Sequence, residues 1–189
     1  MKNIGTQTIE TERLILRKIT ASDAEDMFNN WASDSEVTKY VTWKPHKTIE
    51  DTKAVIDFWL IDIDDADVYR WCIVWKENSQ VIGTIDVVNL NKKLETAEIG
   101  YCLGKKYWGQ GVMTEALKAV IDYLFSKVGL NRIVARHNVN NPASGRVMQK
   151  SGMIFEGVQR QSGKDNEGNY CDLAYYSILK EEWKDRIED

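Results

Sequence analysis

A chain of 189 residues, 43% hydrophobic and 29% charged, has the length and composition of one soluble globular domain spanning 1–189. Its formal net charge of −4 argues against general nucleic-acid binding, which needs a basic face, and no stretch reaches the roughly 18 apolar residues of a membrane span. The opening "MKNIGTQTIETERLILRK" lacks the apolar block of a secretory leader. Cys72, Cys102 and Cys171, odd in number and without CxxC spacing, read as reduced thiols of a cytoplasmic protein, and His46 and His137 without a paired cysteine do not suggest a metal site.

"RLILRKI" (13–19) alternates polar and apolar residues, which predicts a strand with one buried face. Thr20 followed by Asp23 suits a helix start, with Ala24, Met27, Phe28 and Trp31 on the apolar side. Thr48 and Asp51 repeat that signal ahead of Ile49, Thr52, Val55, Ile56, Trp59, Leu60 and Ile63 at helical spacing. "RWCIVWK" (70–76) and "QVIGTIDVVNL" (80–90) read as a hairpin across "ENS", and "ETAEIGYCL" (95–103) continues the sheet. Met113, Leu117, Val120, Ile121, Leu124 and Val128 form one helical stripe that Gly129 ends. "RIVARHNV" (132–139) is a strand, and Asn141 with Pro142 opens a helix that runs to about Gly152. Two last strands flank the loop "SGKDNEGN". The order β-α-α-β-β-β-α-β-α-β-β predicts an α+β fold: one mixed sheet of seven strands with about four helices.

Three of the 12 glycines, Gly104, Gly109 and Gly111, fall between the strand 95–103 and the helix after it. A glycine-rich strand–helix turn aims unpaired amides outward at a helix N-terminus, where the helix dipole also favours an anion. A tight turn with no ligand fits the spacing equally well. Two phosphate motifs do not fit. "GVMTE" lacks the Lys-Ser/Thr pair of a P-loop, and "GQGVMT" lacks the third glycine of a dinucleotide fold.

"KYWGQG" (106–111) resembles the Q/R-x-x-G-x-G/A signature of the GCN5-related N-acetyltransferases (GNAT), with Lys106 in place of the usual first residue. "AEIGYCLGKKYWGQGVMTEAL", "TERLILRKITASDAEDMF" and "NPASGRVMQKSGMIFEGV" resemble the branch of that family containing the RimJ/RimL ribosomal-protein N-acetyltransferases. The likeness runs from about Glu10 to Leu179 with its motifs in order. It implies acetyl-coenzyme A as co-substrate, bound in a V between splayed central strands, here 95–103 and 131–138. Tyr101, Cys102 and Leu103 would face the pantetheine arm with backbone groups. Trp108, Gly109, Gln110, Gly111, Val112 and Met113 would hold the pyrophosphate through main-chain amides. Asn141, Ser144 and Met148 would lie along the other side of the arm.

The resemblance also implies a reaction, direct attack of a primary amine in a ternary complex. Glu98 takes the place of a strand glutamate that accepts the amine's proton in some members; a glutamate paired with a neighbouring base is the plainer alternative. His137, at a strand end, is a weaker candidate for the same task. Many members place a tyrosine near the sulfur where this chain has Met148; Ser144, where RimJ/RimL-type enzymes have a serine, is the candidate proton donor to the departing thiolate, with a helix-terminal hydroxyl bound to its own backbone the equal alternative. An α-amine, pKa about 7.7, needs far less help to lose a proton than a lysine-type amine near 10.4. The expected acceptor is a ribosomal-protein or other peptide N-terminus, or a small-molecule amine. Asp62, Asp64, Asp65 and Asp67 could draw such a cation but fit a solvated loop better. Trp43 is a candidate wall of the cleft. A non-catalytic acyl-coenzyme A sensor of the same fold is the alternative reading, and the chain is expected to be a monomer or a homodimer.

Overall fold

In the computed structural model, which describes residues 1–188, the alternating segments form one eight-stranded sheet. Its strands are β1 (Ile9–Glu10), β2 (Leu14–Arg17), β3 (Arg70–Trp75), β4 (Val81–Asn91), β5 (Thr96–Leu103), β6 (Arg132–Asn138), β7 (Ile154–Lys164) and β8 (Tyr170–Leu179). They lie in the order β1-β2-β3-β4-β5-β6-β8-β7. Every neighbouring pair is antiparallel except β5–β6, which is parallel.

Alternation along the strands serves two apolar layers. Ile85, Ala97, Ile99, Ile133 and Ala135 point to the face covered by α4 (Val112–Tyr123) and α5 (Pro142–Lys150), where Leu117, Val120 and Met148 meet them. Cys72, Val74 and Cys102 point to the opposite face, beneath α1 (Ala24–Met27), α2 (Ser35–Thr38) and α3 (Ile49–Leu60). The helix starts follow local chemistry. Thr48 and Asp51 make the expected reciprocal capping box, and Asn141 caps α5 with Pro142 in its first turn.

The expectation of seven strands and about four helices is corrected to eight strands and six helices among the described residues. β1 has two residues and α2 four, too few to show a period. The first expected helix stops being α-helical after Met27 and continues as a wide π turn over Phe28–Ala32. The closing helix α6 (Lys180–Glu188) is nearly all polar, yet Trp183 packs on Phe125 and donates to Asp122.

Candidate active site

The turn before α4 is shaped by the residues that lead into β2. Glu115, in the first turn of α4, accepts hydrogen bonds from Thr11 Oγ1 at 2.6 Å, Arg13 N at 2.9 Å and Arg13 Nε at 2.7 Å. Burial works against its charge, but these donors outweigh it and hold the carboxyl below the usual carboxylate range. Arg13 Nη1 then donates to the Gln110 carbonyl at 3.0 Å. In a planar trans peptide the N–H points opposite to the C=O, so pinning that carbonyl turns the Gly111 amide away from Arg13. Gly109 and Gly111 adopt φ of 74° and 76°, left-handed values that favour glycine. A Cβ on Gly109 would meet nothing within 4 Å, so this side of the turn is open. The amides of Gly109 through Thr114 have no main-chain acceptor among the described residues; Glu115 N, bonded to Gly111 O, begins the helical ladder. Such a row of donors at the mouth of a twelve-residue helix fits a diphosphate.

Trp108 departs from expectation. Its amide already donates to Lys105 O at 3.1 Å, so the free donors begin one residue later. Its indole Nε1 donates to Leu103 O at 2.8 Å, which ties the turn to the end of β5.

β5 and β6 pair only from Thr96↔Arg132 to Ile99↔Ala135. Beyond that, β5 follows β4 as far as Gly83↔Leu103 and β6 follows β8 as far as Asn138↔Leu173. The sheet therefore splits into a V whose β5 edge is Gly100, Tyr101, Cys102 and Leu103, the expected pantetheine stretch. Its backbone groups on the β6 side have no strand to bond.

The two sides of the V differ in chemistry. On the face of α1 and α3, where the acceptor is expected, Glu98 pairs with Arg136 Nε at 2.6 Å. Arg136 also donates to the Tyr175 hydroxyl at 3.2 Å and lies over that ring. The Glu98 side chain is 19% exposed, so it is both paired and reachable. Asp86 on β4 shares this face, as does Cys102, whose thiol burial pushes up to about 12, leaving it no thiolate at neutral pH.

On the α5 side, Ser144 stands in the first turn of the helix, its amide bonded to Asn141 Oδ1. Asn141 is thus spent on capping. The Tyr101 side chain crosses from β5 to donate to Ser144 O at 3.0 Å, and its hydroxyl lies 2.9 Å from Ser144 Oγ. Burial raises the Tyr101 phenol above its ordinary value, despite the hydroxyl bond to Ser144. Met148 is 1% exposed within the core, so it backs the site without lining its surface. His137 does not face the acceptor cleft: its ring lies under α5, 2.6 Å from where a Gly145 Cβ would stand, with Nδ1 2.7 Å from Asn138 O.

Beyond the open end of the V, a cleft of about 640 Å³ is bounded by Lys39, Tyr40, Asn138, Asn140 and the β7–β8 loop. Asn166 of that loop donates to Thr38 O at 2.9 Å. A second cleft, about 750 Å³, lies elsewhere, between the N-terminal segment and α4. The acidic loop is largely neutralised: Asp62 pairs with Arg70, Asp64 with Lys18 and Asp67 with Lys92. Trp43 packs on His46 with ring centroids 5.5 Å apart, against the core under α3.

Reasoning from the sequence named Glu98 and Ser144 but missed Arg136, the Tyr101 hydroxyl and Asp86. Only Asp86 left a mark, as a lone carboxylate in the apolar run "VIGTIDVV" (81–88).

A sheet split at its one parallel pair, with free helix-mouth amides beside it, defines an acyl-transferring enzyme. Residues 13–154 match the family model described as the GNAT acetyltransferase domain, and the chain belongs to that family. GNAT acetyltransferases use acetyl-coenzyme A. The N-acetyltransferase YoaA of Bacillus subtilis (strain 168) is 38% identical over 172 residues, covering 91% of this chain and 96% of that protein. The ribosomal-protein-serine acetyltransferase of Escherichia coli (strain K12) is 34% identical over 107 residues, 57% of this chain and 59% of its own. A GNAT-family acetyltransferase structure from Bacillus anthracis superposes with a TM-score of 0.80 at 30% identity, over 93% of this chain and 99% of that one.

Proposed function

We propose that this acetyltransferase moves the acetyl group of acetyl-coenzyme A to the α-amine of a peptide or protein N-terminus by direct attack in a ternary complex. The observation that carries this reading is the placement of the free Gly109–Thr114 amides at the mouth of the V that opens beyond Ile99. Acetyl-coenzyme A supplies the activated acetyl group. The unpaired β5 edge, Gly100 to Leu103, lies alongside the coenzyme's arm, and an amide there donates to the thioester oxygen as charge develops on it. Glu98, held in place by Arg136, presents a carboxylate to the incoming ammonium. The Ser144 hydroxyl protonates the departing thiolate, and Tyr101, kept protonated by burial, supports that step by turning its one proton from Ser144 O to Ser144 Oγ.

An α-amine suits this site because a sizeable fraction is already unprotonated near neutral pH, whereas the pKa of a lysine-type amine is about 2.7 higher, a handicap of close to 4 kcal/mol. The name of the Escherichia coli relative, a ribosomal-protein-serine acetyltransferase, points the same way. Small-molecule amines are the second acceptor class. The test is release of free thiol from acetyl-coenzyme A with ribosomal-protein N-terminal peptides, polyamines and aminoglycosides as acceptors. Peptide α-amines should give the highest kcat/KM. Tight coenzyme binding with no thiol release above background for any acceptor would refute turnover and leave a binding protein.

A further inference from the structure

Among the described residues no hydrogen bond or ion pair reaches the Asp86 carboxylate, although it is half-buried in the sheet. The carboxylates near it are occupied. Glu98 is bound to Arg136, and Asp62 to Arg70. Asp86 pairs in register with Arg70 on one side and Gly100 on the other. Arg70, however, spends its guanidinium on Asp62 Oδ1 at 3.0 Å, on Trp59 O at 3.3 Å and on the Trp59 ring, and its Nε is buried without a partner. A carboxylate placed this way lowers stability, so its presence calls for another reason.

Position supplies one. Gly100 is the first residue of β5 past the end of pairing with β6. Its missing side chain leaves the space above it to two β4 side chains, with Val88 Cγ1 2.9 Å and Asp86 Oδ1 3.8 Å from where a Gly100 Cβ would be. The carboxylate therefore overhangs the point where the V opens, on the face where the acceptor is expected, between the levels of Glu98 and Cys102. The backbone irregularity at Val88 sits just beyond it and swings the rest of β4 out of register.

We infer that Asp86 is the group that takes the proton from the acceptor ammonium, while Glu98, locked by Arg136, serves as a fixed negative charge that draws that ammonium in. The inference rests on the acetyl-transfer reading above. The ammonium gives one proton to Asp86 Oδ. The freed nitrogen lone pair forms the bond to the acetyl carbon, and the carbon–sulfur bond breaks. The nitrogen's second proton goes to water as the thiolate takes the Ser144 proton, and water returns a proton to Ser144, so the net release is one proton per turnover, the one that Asp86 passes to solvent. Burial pushes the Asp86 carboxyl up to about 6, against the pull of Arg70, so it is ionised at neutral pH yet a better base than an ordinary carboxylate. The titratable and charged groups around it are Arg70 on β3, with Asp62 behind it, Glu98 and Cys102 on β5, and Arg136 on β6.

The test uses the full chain and two readouts. Carbon-13 NMR of the aspartate carboxyls should show one signal titrating near pH 6 in the wild type that disappears in Asp86→Asn. If that signal titrates as an ordinary carboxylate, the inference falls whatever the activity. With the best peptide acceptor, Asp86→Asn should lower kcat about 100-fold or more and remove the acidic limb of the kcat/KM profile, with coenzyme Kd changed less than twofold. Asp86→Glu should restore part of the rate and that limb. Unchanged kcat and pH profile in Asp86→Asn would overturn the inference while leaving acetyl transfer intact. Wild type that binds coenzyme yet releases thiol for no acceptor would overturn both.

Discussion

Replacing Asp86 by Asn should make the protein more stable, and only as the pH rises above about 4. The folded-state value of about 6 lies above the ordinary 3.8, so the folded chain holds a proton that the unfolded chain has lost between those limits. Below pH 3.8 the carboxyl is protonated in both states and contributes nothing. Stability falls as pH rises through the window, and the full penalty persists once both states are ionised. The gap between the two values corresponds to ~3 kcal/mol, at about 1.36 kcal/mol for each tenfold change in proton affinity. Residual hydration of a half-buried carboxylate and local relaxation reduce this to ~1.5 kcal/mol. For a chain of this length that is a melting change of roughly 3–6 °C. The assay is thermal unfolding of wild type and Asp86→Asn in matched buffers from pH 4 to pH 8. The Asn variant should melt with the wild type at pH 4 and above it at pH 7–8. A difference that is constant with pH, or of opposite sign at pH 8, would refute the reasoning. Combined with loss of turnover, the expected gain would mark a site where stability is sacrificed for chemistry.

Gly111→Ala forces an L-residue into φ near 76°, at ~1–2 kcal/mol, although its Cβ would meet only Arg13 Nη2 at 3.7 Å. Coenzyme Kd by calorimetry should rise at least ~10-fold as the turn relaxes and its amides lose their aim; an unchanged Kd would count against the anion site. Tyr101→Phe removes the phenol that holds Ser144 and should lower kcat by ~10-fold with KM for coenzyme unchanged. A rise in KM alone would make Tyr101 a wall of the binding site instead. Gly145→Ala drives a Cβ to 2.6 Å from His137 Nε2 and should cost ~1–3 kcal/mol by denaturant unfolding. Adding His137→Ala should recover most of that loss, because the clash needs both side chains.

The elements that carry the site were legible because each has a local cause. The stripe of α4, the capping boxes at Thr20 and Thr48, and the Asn141-Pro142 start all rest on residues within a few positions of one another. The V was legible through family resemblance. What failed to show was set by register or by distance. Glu98 meets Arg136 only because β5 and β6 pair with Glu98 opposite Val134, which puts Arg136 on the same face two residues on. Tyr101 was expected to offer backbone; that its hydroxyl reaches Ser144 depends on how α5 closes over the split sheet. The engaged Trp108 amide follows from a 3₁₀ turn over Lys105–Tyr107 that glycine spacing does not encode. Asp86 was visible as an odd residue in an apolar strand, but its lack of a partner needed three strands in place.

The strut from Arg13 to the Gln110 carbonyl makes the donor pocket depend on a strand near the far edge of the sheet. β2 is four residues long and its outer neighbour β1 only two, so this margin of the fold is the one most exposed to fraying. Fraying there would unclamp the turn without disturbing the split strands or the opposite face. Occupancy by coenzyme should in turn slow amide exchange at Leu14–Arg17, so the margin of the sheet would report on a ligand held at the mouth of α4.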